Sequence, residues 1–161
     1  MTPTAAPAVT AVRTDFRDAG ALYALSLPFI RSGALRARTP ADYRCAADTF
    51  LVVRGASGLD ACAALRVLAP EPGHPATGVL HNLCVRPDRQ NLGLGGVLIT
   101  AVLAQARRTG LRTVLAATVT DGTPFRRHGF TEIPPAAAPP AWAATLDPAR
   151  RARVFRRLLT P

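Results

Sequence analysis

Lysine is absent from this 161-residue chain: all 20 basic residues are arginine, set against 10 acidic ones. A phosphate loop of the Gly-Lys-Ser/Thr type is thereby excluded. Aromatic residues make up only 6%, and the densest basic cluster, Arg150, Arg151, Arg153, Arg156 and Arg157, is interleaved with Phe155 alone. Single-stranded nucleic acid is held by basic grooves lined with stacking rings, so it is not the expected partner despite a net charge of +10. Cysteine is scarce as well. Cys45, Cys62 and Cys84 are odd in number and form no Cys-x-x-Cys pair, which disfavours a disulfide framework and a zinc site alike; no metal is expected, and a reducing cytoplasm fits. No stretch approaches the roughly 18 uninterrupted apolar residues of a membrane span, and the first ten residues lack the basic start and apolar run of a leader. A soluble protein is expected, with no membrane partner.

What is present reads as one domain over residues 9–161, behind a small, proline-bearing and disordered stretch at residues 1–8. Val9 to Arg13 alternates weakly and predicts a short strand. Asp15 or Asp18 can cap a helix carrying Ala21, Leu22, Leu25 and Phe29, which Ser32-Gly33 ends. Thr39-Pro40 predicts a second short helix running to about Asp48. Residues 49–54 and 61–68 are apolar runs around Gly55-Ala56-Ser57-Gly58, the pattern of a hairpin. Residues 78–85 and 111–118 read as buried strands, and between them Leu94, Val97, Leu98, Ala101 and Val102 share a helical face that Gly110 follows. The fold class is therefore α/β, with helices flanking a mixed sheet. The tail is open: Asp147-Pro148 can cap a helix carrying Val154, Phe155, Leu158 and Leu159, yet the stretch is short enough for a final strand.

The chemistry points to the loop Gln90-Asn91-Leu92-Gly93-Leu94-Gly95. A strand, a glycine-bearing loop and a helix start gather backbone N–H groups at the positive end of the helix dipole, which suits a pyrophosphate. Side chains at Gly93, Gly95 or Gly96 would hold phosphates away from the backbone. A dinucleotide fingerprint Gly-x-Gly-x-x-Gly does not match, and the acidic residue expected about 20 positions on is absent.

Val85-Arg86-Pro87 followed by Gln90-x-x-Gly93-x-Gly95 resembles the Val-x-Pro, Gln/Arg-x-x-Gly-x-Gly/Ala motif of the GNAT N-acetyltransferase superfamily. Pro124-Phe125-Arg126-Arg127-His128-Gly129-Phe130 is similar to that superfamily's later aromatic-x-x-x-Gly-Phe segment. The resemblance implies a mixed sheet with two parallel central strands splayed apart, here those ending at Val85 and Thr118. It further implies acetyl-CoA as cosubstrate, its pyrophosphate on Gln90, Asn91, Leu92, Gly93, Leu94, Gly95 and Gly96. The pantetheine arm would pair with Leu83, Cys84 and Val85, and Phe125 would lie beside it. Residues 27–39 and 146–155 are similar to the acetyltransferase domain of N-acetylglutamate synthases, matching a short stand-alone form. By that likeness Arg38 and Arg150 would hold a substrate carboxylate through their planar guanidinium forks, and Asn82 would lie close to the substrate.

Three positions depart from the pattern. The base expected as Glu is Val79, the Ser of the last motif is Ala152, and the superfamily's Tyr is Phe125. His81 shares a face with Val79 if the strand alternates, and a near-neutral imidazole there could accept the amine's proton. Thr118 keeps a hydroxyl able to protonate or orient the departing sulfur. Cys84, without an evident base, reads as a small hydrophobe rather than a nucleophile. Trp142 can wall a pocket or anchor its loop. The expected reaction is direct acetyl transfer to the primary amine of a small molecule, an amino acid or analogue, glutamate-like. The alternatives are another small amine or antibiotic, and a non-catalytic acetyl-CoA-binding module. A homodimer is compatible with the sequence.

Overall fold

Strand β4, Thr77–Val85, runs through the middle of the sheet, and the rest of the chain is arranged on its two faces. The computed structural model describes residues 9–161; the segment expected to be disordered, residues 1–8, lies outside the described residues. Chain order is β1 (Val12–Arg13), α1 (Ala19–Arg31), α2 (Pro40–Ala46), β2 (Phe50–Gly55), β3 (Gly58–Leu68), β4, α3 (Leu94–Arg108), β5 (Thr113–Thr118), α4 (Thr123–Arg127), β6 (Thr131–Ile133), α5 (Pro140–Ala143) and β7 (Arg153–Leu158). The seven strands lie in the order β1-β2-β3-β4-β5-β7-β6. Only β4 and β5 run parallel; every other neighbouring pair is antiparallel.

Strand alternation sorts side chains onto two faces. Leu51, Val53, Leu80, Val114 and Phe155 meet α3 through Leu98, Ile99 and Val102. Phe50, Val52, Cys62 and Ala64 meet α1 and α2 through Leu22, Leu25 and Tyr43 on the other. Val79, Leu115 and Val154 form a third cluster with Ile133 and Trp142. Trp142 thus anchors its loop into the core, one of the two roles open to it.

Local chemistry explains most element ends. Thr39 caps α2 with Pro40 in the first turn: its hydroxyl accepts from Asp42 N at 3.2 Å while the Asp42 carboxylate accepts from Thr39 N at 2.7 Å. Asp15 caps a 3-10 turn at Phe16–Asp18 rather than α1 itself, which starts at Ala19 without a side-chain cap. Gly110, at φ +77°, ends α3, and Leu111 N returns to Ala106 O. The first strand is shorter than alternation suggested, because only Val12 and Arg13 find partners, Val52 and Leu51. The hairpin's second strand is longer, starting at Gly58. The ambiguous tail is a strand because β7 is hydrogen-bonded on both sides, to β5 over residues 153–158 and to β6 over residues 154–156. Among the described residues no helix is long and apolar enough to cross a membrane.

Candidate active site

The parallel pairing of β4 with β5 stops early. Gly78 faces Val114 and Val79 faces Leu115; past that point β4 continues to Val85 and β5 to Thr118 without pairing to each other. The edge of β4 turned toward β5 therefore offers free backbone N–H and C=O groups, which an extended ligand can pair as an added strand would. This is the splay expected of strands ending at Val85 and Thr118.

A β-bulge sets the direction of that edge. Ala64 pairs with His81 but Cys62 pairs with Cys84, so two residues of β3 span three of β4. Asn82 is the residue that turns, at φ +52°, a conformation asparagine tolerates better than most. Its side chain is locked: Oδ1 accepts from the Tyr43 hydroxyl at 2.7 Å and Nδ2 donates to Ser26 Oγ at 2.9 Å. Expected beside the substrate, Asn82 is instead buried with its side chain committed to α1 and α2. Cys62 and Cys84 face each other at 3.5 Å on the same face, both buried. The neighbouring Cys84 thiol and burial hold the Cys62 thiol well above the usual range.

Beyond Val85 the chain enters the glycine loop. Asp60, 4% exposed, holds the turn before it through Arg89 Nε at 3.2 Å and Arg86 Nη1 at 3.6 Å, and Arg86 N donates to Asp60 O at 2.8 Å. Asn91 (φ +63°) and Gly93 (φ +82°) turn the backbone, and a Cβ at Gly93 would project into open space above the loop. Within α3 the N–H of Val97 is bonded to Gly93 O; the amides preceding it lie in the first turn, where a helix has no acceptor to offer. Residues 90–96 thus fit a pyrophosphate. Leu92 and the half-buried Gly95 and Gly96 line the outside of this turn, whereas Leu94 is buried under it. The Gln90 side chain donates to Val85 O at 3.1 Å, so its amide braces the loop. Phe125, expected beside the cofactor, is a core residue 7% exposed, packed on Phe130 at 5.4 Å and on Phe155 at 6.1 Å.

At the open end of β5 lies a cleft of about 330 Å³. Its walls come from the α1–α2 connection (Arg36, Ala37), the β5 end (Thr118) and the turn before β7 (Asp147, Arg150, Ala152). Arg150 Nη2 donates to the carbonyls of Gly33 at 3.1 Å and Ala34 at 3.3 Å, tying two walls together. Thr118 Oγ1 accepts from Thr120 N at 3.2 Å and lies 2.9 Å from Thr120 Oγ1. Arg38 does not line this cleft. Half-buried, its guanidinium is held below its usual value by burial, with Arg66, Arg36 and Asp42 as charged neighbours. Arg36 takes the place at the wall, a residue the sequence pattern passed over although it sits two positions before Arg38.

His81 does not carry the near-neutral imidazole expected of it. Burial, then the charges of Arg38 and Arg66, push its pKa down to about 3, and its shielded Nδ1 has no hydrogen-bond partner. The ring stands edge-on to Phe50 at 6.2 Å. Its partner position, Val79, is 3% exposed and packed with Leu115 and Trp142. A histidine neutral in the folded state but titrating near 6.5 when unfolded stabilises the fold fully above that value, and the contribution is lost as pH falls toward about 3. From pH 7 to 5 the loss should be about 2 kcal/mol. Urea unfolding of His81→Gln across this range should show a correspondingly flatter dependence; an unchanged slope would mean the imidazole is not held neutral.

Comparisons with known proteins agree with this geometry. The family model described as "Acetyltransferase (GNAT) family" matches residues 19–130. An amino-acid acetyltransferase from Ectopseudomonas mendocina is 30% identical over 142 residues, covering 88% of this chain and 32% of its own length. One from Salmonella typhimurium is 30% identical over 121 residues, covering 75% of this chain and 26% of its own. The chain thus spans about a third or less of these curated relatives. Among solved structures, N-acetylglutamate synthase from Neisseria gonorrhoeae, complexed with coenzyme A and N-acetyl-glutamate, superimposes with a TM-score of 0.87 at 22% identity, covering 97% of this chain and 36% of that one. A Mycobacterium tuberculosis chain solved with CoA gives a TM-score of 0.76 at 19% identity, with 94% of this chain and 99% of that one covered.

Proposed function

The chain belongs to the GNAT acetyltransferase family, and from that premise we propose that it transfers an acetyl group from acetyl-CoA to the primary amine of a small carboxylate-bearing molecule of the amino-acid class. The observation that carries this reading is the splay: the β4 edge left open after Val79 runs to the glycine loop, and the end of β5 across from it lines a cleft walled by Arg36, Thr118 and Arg150. Curated relatives named amino-acid acetyltransferases and the N-acetylglutamate carried by the Neisseria gonorrhoeae structure support the acceptor class.

Acetyl-CoA, when bound, supplies the thioester. Residues 90–96 hold its pyrophosphate on backbone amides, and the open edge of Leu83, Cys84 and Val85 holds the amide arm in line with β4. A backbone N–H near Cys84 or Val85 donates to the carbonyl oxygen as charge builds on it. Arg36 and Arg150 clamp the acceptor's carboxylate at the cleft wall, which orients its amine toward the splay. Thr118, at the end of β5, delivers a proton to the departing sulfur.

Acetyl-CoA consumption should be assayed with the amino acids, glutamate first, and with aminoglycosides. Turnover confined to carboxylate-bearing amines is expected. Arg150→Ala should raise the acceptor KM by about 10- to 100-fold, the loss of one charge-assisted hydrogen-bonded contact, while leaving the KM for acetyl-CoA in place. Because Arg150 also braces Gly33 and Ala34, Arg36→Ala, which breaks no such tie, is the companion variant. Aminoglycoside turnover with no amino-acid turnover would replace the acceptor class.

A further inference from the structure

Acetylation of an ammonium needs somewhere for its proton to go, and two positions on β4 that could take it do not. Position 79 is an apolar side chain sealed against Leu115 and Trp142. His81 is shielded beside Phe50, flanked by the positive charges of Arg38 and Arg66, and absent from the cleft wall.

Resting on the acetyl-transfer reading above, we propose that Asp147 is the proton acceptor for the substrate amine. Among the described residues it is the only carboxylate lining the cleft, and it shares that cleft with Thr118. Its geometry is set by a cap: Oδ1 accepts from Ala149 N at 2.9 Å, at the start of the turn Pro148–Arg150. That bond fixes the plane of the carboxylate and leaves Oδ2 without a hydrogen-bond partner among the described residues. Two arginines line the same cleft, yet Asp147 forms no ion pair with either. Arg150 points its guanidinium at the Gly33 and Ala34 carbonyls, and Asp147 takes part in none of the described salt bridges. A carboxylate held in place, uncommitted and flanked by the groups that would clamp a substrate carboxylate is placed for the ammonium of a zwitterion.

The step balances simply. Asp147 takes one proton from the ammonium, directly or through one water, and passes it to solvent. The freed nitrogen lone pair forms the C–N bond at the thioester carbonyl carbon. The C–S bond breaks with its electron pair on sulfur, which leaves as thiol with a proton routed through Thr118, while the amine's second proton replaces it. The charged groups that line the cleft with Asp147 are Arg36 from the α1–α2 connection and Arg150 from its own turn; β5 contributes the uncharged hydroxyl of Thr118.

Asp147→Asn keeps the Oδ1 cap and removes the basic oxygen pair, so it tests basicity rather than structure. With the amino acid that the native protein turns over best, kcat should fall about 100-fold, with the KM for acetyl-CoA and the melting temperature unchanged. The deficit should also narrow as pH rises toward the amine's own pKa, because the substrate then arrives already deprotonated. A merely structural role would give a deficit independent of pH. A native-like kcat in Asp147→Asn, or a deficit that does not change with pH, would overturn the assignment and leave the acetyl-transfer reading standing; no turnover of any amine by the native protein would overturn both.

Discussion

Replacing Asn82 by alanine should lower stability by about 3–8 kcal/mol and take acetyl transfer down with it. Tyr43 and Ser26, 1% and 0% exposed, bond to the two ends of the Asn82 amide and have no water to turn to. Each buried hydroxyl left without its partner costs about 1–3 kcal/mol. Alanine at φ +52° adds a further cost of about 1–2 kcal/mol, because its Cβ crowds the following carbonyl in the left-handed region. For a chain of this size each kcal/mol moves the melting temperature by about 2–4 °C, so thermal unfolding followed by circular dichroism should show a fall on the order of 10 °C. Tyr43→Phe in the Asn82→Ala background should cost far less than Tyr43→Phe alone, since the hydroxyl it removes is already stranded. Additive costs would mean the network does not hold the bulge. The activity loss has a separate origin. The turn at Asn82 sets the faces of Leu83 and Val85, and once Ser26 and Tyr43 no longer hold it the open edge of β4 loses its alignment with the splay.

Gly122→Ala should be about as severe, from steric overlap. Gly122 has φ +74° and starts α4, and a Cβ built there falls within the ring of Phe155, overlapping Cζ and lying 2.6 Å from Cε2. That ring cannot move aside. It is 0% exposed, stacked on Phe125 at 6.1 Å and covered by the Arg126 guanidinium at 4.9 Å from its centroid. Overpacking of a closed core costs about 1–3 kcal/mol and the left-handed backbone about 1–2 more, so a fall of about 10 °C is again expected. Gly33→Ala separates the two causes. Gly33 has φ +81° but open space where its Cβ would go, so it should lose only the backbone share. Equal losses at the two positions would rule out the overlap.

Much of the site could be read from residues in sequence. The glycine loop was legible because its geometry is local: a strand end, two left-handed residues at Asn91 and Gly93, and a helix start lie within ten positions. The α2 cap was legible for the same reason, since Thr39, Pro40 and Asp42 are neighbours. What could not be read depends on distant partners. Asn82 belongs to α1 and α2 rather than to the substrate because Ser26 and Tyr43, 56 and 39 residues away, claim its amide. Arg36 rather than Arg38 reaches the cleft because the path of the α1–α2 connection is set by Arg150, 117 residues beyond Gly33. His81 lost its near-neutral imidazole to burial and to two arginines from other segments.

The amino-acid sequence by itself determined the family, the strand-loop-helix unit and the glycine-bearing turn that opens α3, all of which follow from short-range spacing and backbone freedom at glycine. Tertiary structure alone decided that the tail is a strand, paired on both sides by β5 and β6. It alone put the bulge at Asn82, buried Val79 and set the half-buried His81 against Phe50, leaving Asp147 as the carboxylate lining the cleft. Those outcomes turn on which distant groups share a hydrogen bond or exclude water, and the linear order of residues does not carry that information.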